Sequence, residues 1–306
     1  GKIYAGIADD MLTTTIMATT APKYLCPAMN TEMYNNPITQ RNLEGLRSLG
    51  YHIMDPAEGW LACGITGVGR LPEPEAIVEW LESKMFSTNE LEGTTILVTA
   101  GGTQENIDPV RYIGNRSSGK MGYAIADQAA RMGAQVILVS APTSLPVPSG
   151  VDFVSVDSAL SMQEAVEARY NDVNVVIMAA AVSDFRALHK AEQKIKKMES
   201  MTIELVKNPD ILQGLGSKKS HQLLVGFAAE TEHVIKYGQD KVARKNLDML
   251  VANDVSKSNA GFNVDTNEGY FLYPDKEPKK MPNMKKSDLA RHILKEVIEL
   301  VANKQS

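Results

Sequence analysis

Hydrophobic positions follow two different patterns along the 306 residues, and the change comes near residue 94. In the first part, apolar residues recur mostly at helical spacing, and clear strand alternation is scarce. Helices are therefore predicted over residues 7–20, 37–49 and 73–85. A short buried strand is predicted at 24–27, and the Gly- and Pro-rich stretch 56–72 is predicted to be a loop. The polar connector 87–93 is interpreted as a domain boundary.

In the second part, short β-branched apolar runs alternate with amphipathic stretches. Strands are predicted over 94–100, 135–140, 152–156, 173–180, 223–228 and 249–252, and helices over 118–132, 160–170, 233–245 and 288–301. Ser287 is the predicted cap of the last helix, and an added strand at 269–273 is expected to pair with 261–264. Strands that alternate with helices of this length predict an α/β fold with a Rossmann-like, doubly wound, mostly parallel sheet.

Composition excludes several classes of protein. The length suggests two domains or one large domain, and 43% hydrophobic with 23% charged residues is ordinary for a globular chain. The longest strongly apolar run is too short to cross a bilayer, and the net charge of −5 argues against a general nucleic-acid binder. Two cysteines, Cys26 and Cys63, cannot form a disulfide framework, which favours a reducing compartment such as the cytoplasm.

Glycines after the first strand of the second part form a candidate phosphate site. Doubly wound sheets bind ligands at the carboxyl ends of their strands, where Gly101 and Gly102 stand. Ser117, Ser118, Gly119 and Lys120 stand at the N-terminus of the helix predicted over 118–132, whose free N–H groups could bind phosphate. Residues 114–120 match G-x-x-x-x-G-K, but Met121 replaces the Ser or Thr that would hold magnesium. The dinucleotide fingerprint G-x-G-x-x-G is absent, and an ordinary βα loop is the alternative.

Further polar groups follow later strands. They are Met178–Arg186 with Lys194–Lys197, Asn208–Ile211, Phe227–Glu230, and the basic trio Lys241, Arg244 and Lys245. Asp184 could accept hydrogen bonds from a base, and the lysines could pair with phosphates. Solvated basic faces remain the alternative, and Asn208 with Pro209 could simply cap and begin a helix. Cys63, in a Gly-rich loop, is either a reactive thiol or a small core residue.

Taken together, these segments resemble the bifunctional phosphopantothenoylcysteine decarboxylase and phosphopantothenate–cysteine ligase family of bacterial coenzyme A biosynthesis. The ligase match runs from residue 94 to about 302, through Thr99–Glu105, Asn115–Gly122, Ala179–Arg186, Lys194–Lys197, Lys207–Ile211, Gly226–Glu230 and Lys241–Asp248. Pro27–Asn30 and Ala62–Arg70 resemble the C-terminal part of the decarboxylase half. The resemblance implies a partial flavodoxin-like decarboxylase domain over 1–86 and a ligase domain over 94–306.

The ligase resemblance implies that CTP, with Mg²⁺, activates 4′-phosphopantothenate as an acyl-cytidylate, which L-cysteine then attacks. It places CTP on Met178, Ala179, Ala180, Asp184, Lys194, Asn208, Pro209, Asp210, Ile211, Phe227, Lys241 and Lys245. Lys194 would neutralise charge during activation, and Asn115 would act on the acyl-cytidylate. Asp184 would read the cytosine edge. The resemblance assigns no magnesium ligands, and the histidines show no metal-ligand spacing.

The decarboxylase resemblance implies an FMN enzyme in which Asn30 binds the substrate carboxylate and Cys63 donates the final proton. The family's N-terminal flavin loop and catalytic histidine have no counterpart here, and the chain opens at Gly1 without Met. We therefore expect an N-terminally truncated chain that cannot decarboxylate, whereas the full-length protein would yield 4′-phosphopantetheine. The family also implies ligase dimers and decarboxylase trimers, with 262–273 as a candidate pairing edge.

Two other functions remain open. One is an NAD(P)-dependent oxidoreductase on the same sheet, which the missing dinucleotide fingerprint disfavours. The other is a non-catalytic nucleotide-binding module, which would bind CTP but release no pyrophosphate. Neither alternative requires a nucleic acid or membrane partner.

Overall fold

The computed structural model describes residues 1–61, 64, 66–85, 88–196, 199–230, 232–254 and 266–305. The chain divides into two compact units, called here unit 1 (residues 1–87) and unit 2 (residues 88–306). Within the described residues, every helix falls short of the length and apolar character needed to cross a membrane.

Unit 1 consists of short elements. Its helices are α1 (Lys2–Ala5), α2 (Met11–Ala18), α3 (Thr31–Asn35), α4 (Pro37–Ser48) and α5 (Pro74–Met85). Strand β1 (Tyr24–Leu25) pairs in parallel with β2 (His52–Ile53), and β3 (Ala57–Trp60) pairs antiparallel with β4 (Thr66–Arg70). The helix predicted from residue 7 begins only at Met11, because the Asp10 side chain accepts a hydrogen bond from Thr13 N and caps the helix there.

The predicted loop over 56–72 is wrong, since it contains the β3–β4 hairpin. Glycines within these strands hid them from a search for β-branched residues. At Gly69, φ is +139°, and an added Cβ would stand 2.0 Å from the carbonyl oxygen of Met29. The Met29 amide donates to Gly69 O across 2.9 Å, so the glycine lets the segment before α3 pack directly against β4.

Unit 2 is built on one large sheet. Its strands are β5 (Thr95–Ala100), β6 (Gln104–Asn106), β7 (Tyr112–Gly114), β8 (Gln135–Ser140), β9 (Val151–Ser155), β10 (Val175–Met178), β11 (Phe185–Ala187), β12 (Leu205–Lys207), β13 (Leu223–Glu230), β14 (Met249–Asp254), β15 (Thr266–Leu272) and β16 (Lys279–Lys285). The order across the large sheet is β16-β15-β14-β13-β10-β5-β8-β9. Strand β15 pairs antiparallel with both β14 and β16, and the other neighbours pair in parallel. The parallel strands follow the doubly wound order, which confirms the predicted fold class.

Helices cover both faces of this sheet. They are α6 (Lys120–Arg131), α7 (Ala159–Glu167), α8 (Ile211–Lys218), α9 (Val234–Arg244) and α10 (Lys286–Gln305), with a 3₁₀ turn at Tyr170–Asp172. Alternate β5 residues point to opposite faces: Ile96 and Val98 join a core with α6 and α10, and Leu97 joins one with α7, α8 and α9. Helix α10 begins at Lys286, so the predicted cap Ser287 lies inside its first turn.

Two predictions at the borders of unit 2 need correction. Residues 88–93, expected to form a connector, pack on unit 2: Thr88 N donates to Arg131 O, and Leu91 N donates to Met132 O. Strand β15 exists where an added strand was predicted, but it pairs with β14 and β16. Its expected partner, 261–264, lies outside the described residues. Because β15 lies between two strands, it is not the pairing edge expected at 262–273.

Candidate active site

The candidate site lies at the point in the sheet where the order of successive strands reverses. Strands β5 and β10 are neighbours, with Thr99 paired to Met178, yet the chain continues from β5 towards β8 and from β10 towards β13. In doubly wound sheets, such a reversal at the carboxyl ends of the strands is where a ligand crevice is expected. The predicted candidates Gly101, Gly102 and Met178–Ala180 all stand at this edge.

Beyond the strand ends, the two loops remain joined by hydrogen bonds. Ala180 N donates to Thr99 Oγ1 at 3.1 Å, and Ala181 N donates to Gly101 O at 2.8 Å. Further along, Ser183 N donates to the buried Thr103 Oγ1 at 2.9 Å. These bonds fix the backbone of 179–183 and therefore the position of Asp184, whose side chain is exposed at the end of the segment.

The glycines allow a close approach between β5 and the segment before α6. Gly101 has φ +80°, and a Cβ at Gly102 would stand 2.8 Å from the carbonyl oxygen of Asn115 and 3.2 Å from Ser117 Cβ. Gly119, with φ +74°, is the N-cap residue of α6, and Lys120 is the first helical residue. The segment predicted to bind phosphate is therefore backbone packed against the strand end, with Ser118 just before the cap.

Asn115 is tied to the opposite loop. Its Nδ2 group donates to Val182 O at 3.1 Å, although the two residues are 67 positions apart in the chain. The side chain is otherwise exposed. The structure thus brings Asn115 to Val182, in the loop that follows the strand-end residues Met178–Ala180.

Asn208 has a different role from the predicted helix cap. It is 5% exposed; its Nδ2 donates to Ser183 O at 2.8 Å, and its Oδ1 accepts from Arg186 Nη1 at 3.0 Å. Its backbone amide donates to Asp184 O at 2.7 Å. With both ends of its amide occupied, Asn208 joins β12 to the Asp184 loop. The cap of α8 is Asp210, which accepts from Gln213 N, and Pro209 precedes that cap.

Asp210 also binds a lysine from the predicted basic trio. Lys245 Nζ lies 2.8 Å from Asp210 Oδ2, and Lys245 is the C-cap residue of α9. Burial raises the pKa of the Asp210 carboxyl, but hydrogen bonds from Lys245 and Gln213 N outweigh burial and leave the pKa below its ordinary value. Lys241 and Arg244 occupy the last turn of α9, where basic side chains complement the helix dipole. Phe227 is half-buried on β13.

Lys194 is exposed in the segment 191–196, which is attached to the turn between β6 and β7. The buried Asp108 and its neighbour Arg111 make this attachment, and the sequence analysis missed both. The sequence signal that could have identified this turn is Asp108-Pro109, because Asp-Pro is a typical turn-initiating pair. Lys197 lies outside the described residues.

In unit 1, the structure places Asn30 but not Cys63. Asn30 is the N-cap of α3, and its Oδ1 accepts from Met33 N at 2.8 Å, which leaves its Nδ2 as the donor on the other side of the amide. Residue 63 lies outside the described residues. Met29 N donates to Gly69 O, so Asn30 adjoins β4.

Among the described residues, no group of three or more His, Cys, Asp or Glu side chains is placed to hold a metal ion. Of the carboxylates near the site, Asp210 is engaged by Lys245. The protein residues described here therefore do not form a magnesium cage of their own.

Comparison with known proteins finds a family match for each of the two units. A family described as "DNA/pantothenate metabolism flavoprotein C-terminal domain" matches residues 91–301, and one described as "Flavoprotein" matches residues 1–86. The second match gives no support to the expectation that the chain lacks the flavin part.

Individual relatives agree with the family matches. The coenzyme A biosynthesis bifunctional protein CoaBC of Bacillus subtilis (strain 168) is 48% identical over 304 residues, covering 98% of this chain and 75% of that protein. The Escherichia coli (strain K12) protein of the same name is 46% identical over 302 residues, covering 97% and 74%. A crystal structure of the C-terminal domain of CoaBC is 44% identical, with a TM-score of 0.62, covering 71% of this chain and 100% of that one. The chain therefore belongs to the family of coenzyme A biosynthesis bifunctional proteins.

Proposed function

We propose that unit 2 ligates 4′-phosphopantothenate to L-cysteine at the expense of CTP. The names of the relatives support a role in coenzyme A biosynthesis. The observation that carries the proposal is the hydrogen bond from Asn115 Nδ2 to Val182 O. It joins Asn115 to the loop after β10, at the point where the strand order reverses. A nucleotide and an activated acyl group would bind in the crevice that these loops form.

The proposed reaction has two steps. First, a carboxylate oxygen of phosphopantothenate attacks the α-phosphorus of CTP, and the bond to the β-phosphate breaks, releasing pyrophosphate. Second, the cysteine nitrogen attacks the acyl carbon, the bond to the cytidylate oxygen breaks, and CMP and a proton leave. Both steps bring negative charge onto oxygen atoms, so they need positioned cations and hydrogen-bond donors.

Residues around the crevice supply these groups. Lys194 neutralises the charge of the triphosphate during activation. The Nδ2 group of Asn115 has two hydrogens; one serves Val182 O and the other can donate to the acyl oxygen while cysteine attacks. Asp184, fixed by the Asn208 amide, reads the cytosine edge. The remaining proposed CTP contacts are Met178, Ala179, Ala180, Asn208, Pro209, Asp210, Ile211, Phe227, Lys241 and Lys245.

Lys245 and magnesium need separate treatment. Because Lys245 is paired with Asp210, a triphosphate would have to compete with that carboxylate for the ammonium group. The described residues offer no group of three potential metal ligands, so we assign no protein ligand to Mg²⁺ and propose that it enters with the CTP phosphates.

The test is pyrophosphate release from CTP in the presence of phosphopantothenate and cysteine, with quenched samples analysed for acyl-cytidylate. Lys194→Gln should abolish most pyrophosphate release, and Asn115→Asp should accumulate acyl-cytidylate with little product. Lys218→Gln, which removes an exposed lysine paired with Glu167, is the matched control and should behave as the unmodified protein.

Each other outcome has a clear meaning. Full activity in Lys194→Gln would show that its assignment is wrong. CTP binding without pyrophosphate release would favour a nucleotide-binding module, and NAD(P)H binding would favour an oxidoreductase.

For unit 1, we propose a flavoprotein role in decarboxylating the ligation product, with FMN supplying the redox chemistry. The Flavoprotein match over 1–86 supports FMN for this half. Asn30 would donate to the substrate carboxylate through Nδ2, and Cys63 would supply the final proton. FMN content and CO₂ release of the purified chain test the proposal, with Asn30→Asp expected to weaken substrate binding because two carboxylates would then face each other.

We also propose that unit 2 pairs with a second copy of itself. The antiparallel ribbons β6–β7 and β11–β12 lie against each other and expose large apolar side chains, among them Tyr112, Phe185 and Leu205. Light scattering after size-exclusion chromatography should give a dimer or a larger assembly, and Phe185→Lys should shift the mass towards the monomer. A monomeric mass for the unmodified chain would contradict the proposal.

A further inference from the structure

A fully buried carboxylate stands at the base of the segment that carries Lys194. Asp108, in the turn between β6 and β7, is 0% exposed. Its Oδ1 accepts hydrogen bonds from Val110 N at 2.8 Å and Arg111 N at 2.9 Å, which close the turn. Its Oδ2 accepts from Arg111 Nε at 2.9 Å and from Ile195 N at 3.1 Å. One oxygen thus serves the turn, and the other reaches a residue 87 positions away.

The same turn holds the segment at further points. Arg111 Nη2 donates to Ile195 O at 3.0 Å, so both polar groups of the Ile195 backbone are engaged by the Asp108–Arg111 pair. Ala191 N donates to Ile107 O at 2.9 Å. The Arg111 guanidinium keeps the pKa of the Asp108 carboxyl well below its usual range, so the carboxylate stays ionised near neutral pH.

These contacts act directly on the backbone of Lys194. The Ile195 N–H lies in the planar peptide group that also contains the Lys194 carbonyl and Cα. Fixing that N–H therefore fixes the direction from which the flexible Lys194 side chain starts. The side chain itself is exposed, so the backbone is where the fold can restrict its reach.

We propose that Asp108 is a positioning residue, which holds the Lys194 ammonium where activation of the carboxylate needs it by anchoring the Ile195 peptide. This inference rests on the proposed role of Lys194 in the first step. Misplacing a reacting or charge-stabilising group by about 1 Å can cost about 100-fold in rate. Release of the Ile195 anchor should therefore lower the rate of activation.

Asp108→Asn separates this role from support of the turn. The amide oxygen of Asn can still accept from Val110 N and Arg111 N, whereas an NH₂ group in place of Oδ2 can accept neither from Ile195 N nor from the Arg111 guanidinium, the two groups that hold the segment. The matched control is Asp127→Asn, which removes another acidic partner of an arginine, Arg131, on α6.

The experiment measures pyrophosphate release by the full chain and hydrogen exchange at the Ile195 amide. Asp108→Asn should lower kcat for pyrophosphate release roughly 10- to 100-fold, leave KM for CTP within about threefold, and speed exchange at Ile195. Asp127→Asn should change none of these. In a Lys194→Gln background, Asp108→Asn should cause no further loss, because its effect passes through the lysine.

Several results would overturn the inference. One is an unchanged kcat in Asp108→Asn although exchange at Ile195 has risen; another is a full additional loss in the Lys194→Gln background. Unprotected exchange at Ile195 in the unmodified protein would also overturn it, and this measurement needs no variant to fold. If instead the unmodified chain releases no pyrophosphate, or Lys194→Gln is fully active, the proposed function itself fails.

Discussion

Unit 1 and unit 2 differ in how they bury their apolar residues. In unit 2, strand residues such as Ile96 and Leu97 are 0% exposed, and each sheet face packs against helices. In the described part of unit 1, the buried aliphatic side chains other than proline are Leu43, Leu46 and Leu61, while Met11 is 86% and Trp60 is 70% exposed. A closed core supports stability on its own, whereas short strands and scattered burial do so poorly.

We infer from this difference that unit 1, and the activity proposed for it, is less stable than unit 2. The positions of the tryptophans provide a probe of that difference. Both tryptophans, Trp60 and Trp80, belong to unit 1. Tryptophan fluorescence therefore follows unit 1, and far-UV circular dichroism follows mainly the larger unit 2. We expect fluorescence to change at lower urea concentration than circular dichroism. Coincident transitions would show that the units unfold together.

The largest effect is expected from Gly102→Ala in the site of unit 2. An added Cβ would stand 2.8 Å from Asn115 O, so either the β5 loop or the Asn115 segment must move. Pyrophosphate release should fall by about 100-fold, because Asn115 and the strand ends would no longer meet correctly. Tryptophan fluorescence should not change.

Gly214→Ala is the matched control for this glycine. Position 214 lies within α8, and an added Cβ there would meet no atom within 4 Å beyond its chain neighbours and the backbone of its own helix. Activity should persist, and the helix should gain about 1 kcal/mol because alanine is the better helix former. Equal loss of activity in both variants would contradict the argument from close approach.

Next in size is a truncation in the core, Leu97→Ala. Leu97 is fully buried on β5 and packs in the cluster shared with α7, α8 and α9. We expect unit 2 to lose about 2–5 kcal/mol, because a cavity replaces the side chain. The urea midpoint by circular dichroism should fall.

Ile38→Ala in unit 1 provides the contrast. Ile38 is 61% exposed, so this truncation should cost less than about 0.5 kcal/mol by tryptophan fluorescence. A cost like that of Leu97→Ala would mean that unit 1 is packed as tightly as unit 2, and the comparison of the two units would be wrong.

The parts of unit 2 that could be predicted from sequence are the elements marked by a local pattern of apolar residues. Buried strands such as Val175–Met178 are continuous apolar runs, and their alternation with helices determined the parallel sheet. The ribbons were missed because strands such as Gln104–Asn106 are three residues long and polar. In unit 1, the β3–β4 hairpin was missed because glycines occur within its strands.

Site residues with long-range partners could not be predicted in the same detail. Nothing in Asn208-Pro-Asp210 shows which Asx residue caps α8; Arg186 and Ser183 engage Asn208 and so leave the cap to Asp210. The Lys245–Asp210 pair joins residues 35 positions apart. The location of the candidate residues at strand ends was therefore predictable, but the hydrogen bonds that hold them were not.

A smaller effect is expected at a partly buried ion pair of unit 2. Glu296, on α10, accepts hydrogen bonds from Lys279 and from the buried Tyr273 hydroxyl. Burial raises the pKa of the Glu296 carboxyl, but Lys279 and Tyr273 outweigh it, so the pKa lies below the ordinary value of 4.5. Glu296→Gln should cost about 1–2 kcal/mol near neutral pH, since a charge-assisted bond is lost.

The pH dependence follows from the direction of that pKa change. A carboxyl whose pKa is lowered by folding stabilises the fold above its ordinary pKa, and this stabilisation disappears as pH falls through the lowered value. The difference in urea midpoint between the unmodified protein and Glu296→Gln should therefore shrink as pH falls from 7 towards 3. A difference that stays constant over this range would contradict the assignment.

The smallest effect is expected at an ion pair of unit 1, where Arg47 Nη2 lies 2.7 Å from Asp55 Oδ1. The Asp55 side chain is 68% exposed, so water screens the pair and competes for both partners. Asp55→Asn should change the unfolding free energy of unit 1 by less than about 0.5 kcal/mol, measured by tryptophan fluorescence in urea. Loss of an ion pair should cost more free energy of unfolding in Glu296→Gln than in Asp55→Asn. These two variants therefore compare unit 2 with unit 1 directly. A larger loss at Asp55 than at Glu296 would mean that polar contacts, rather than apolar burial, stabilise unit 1.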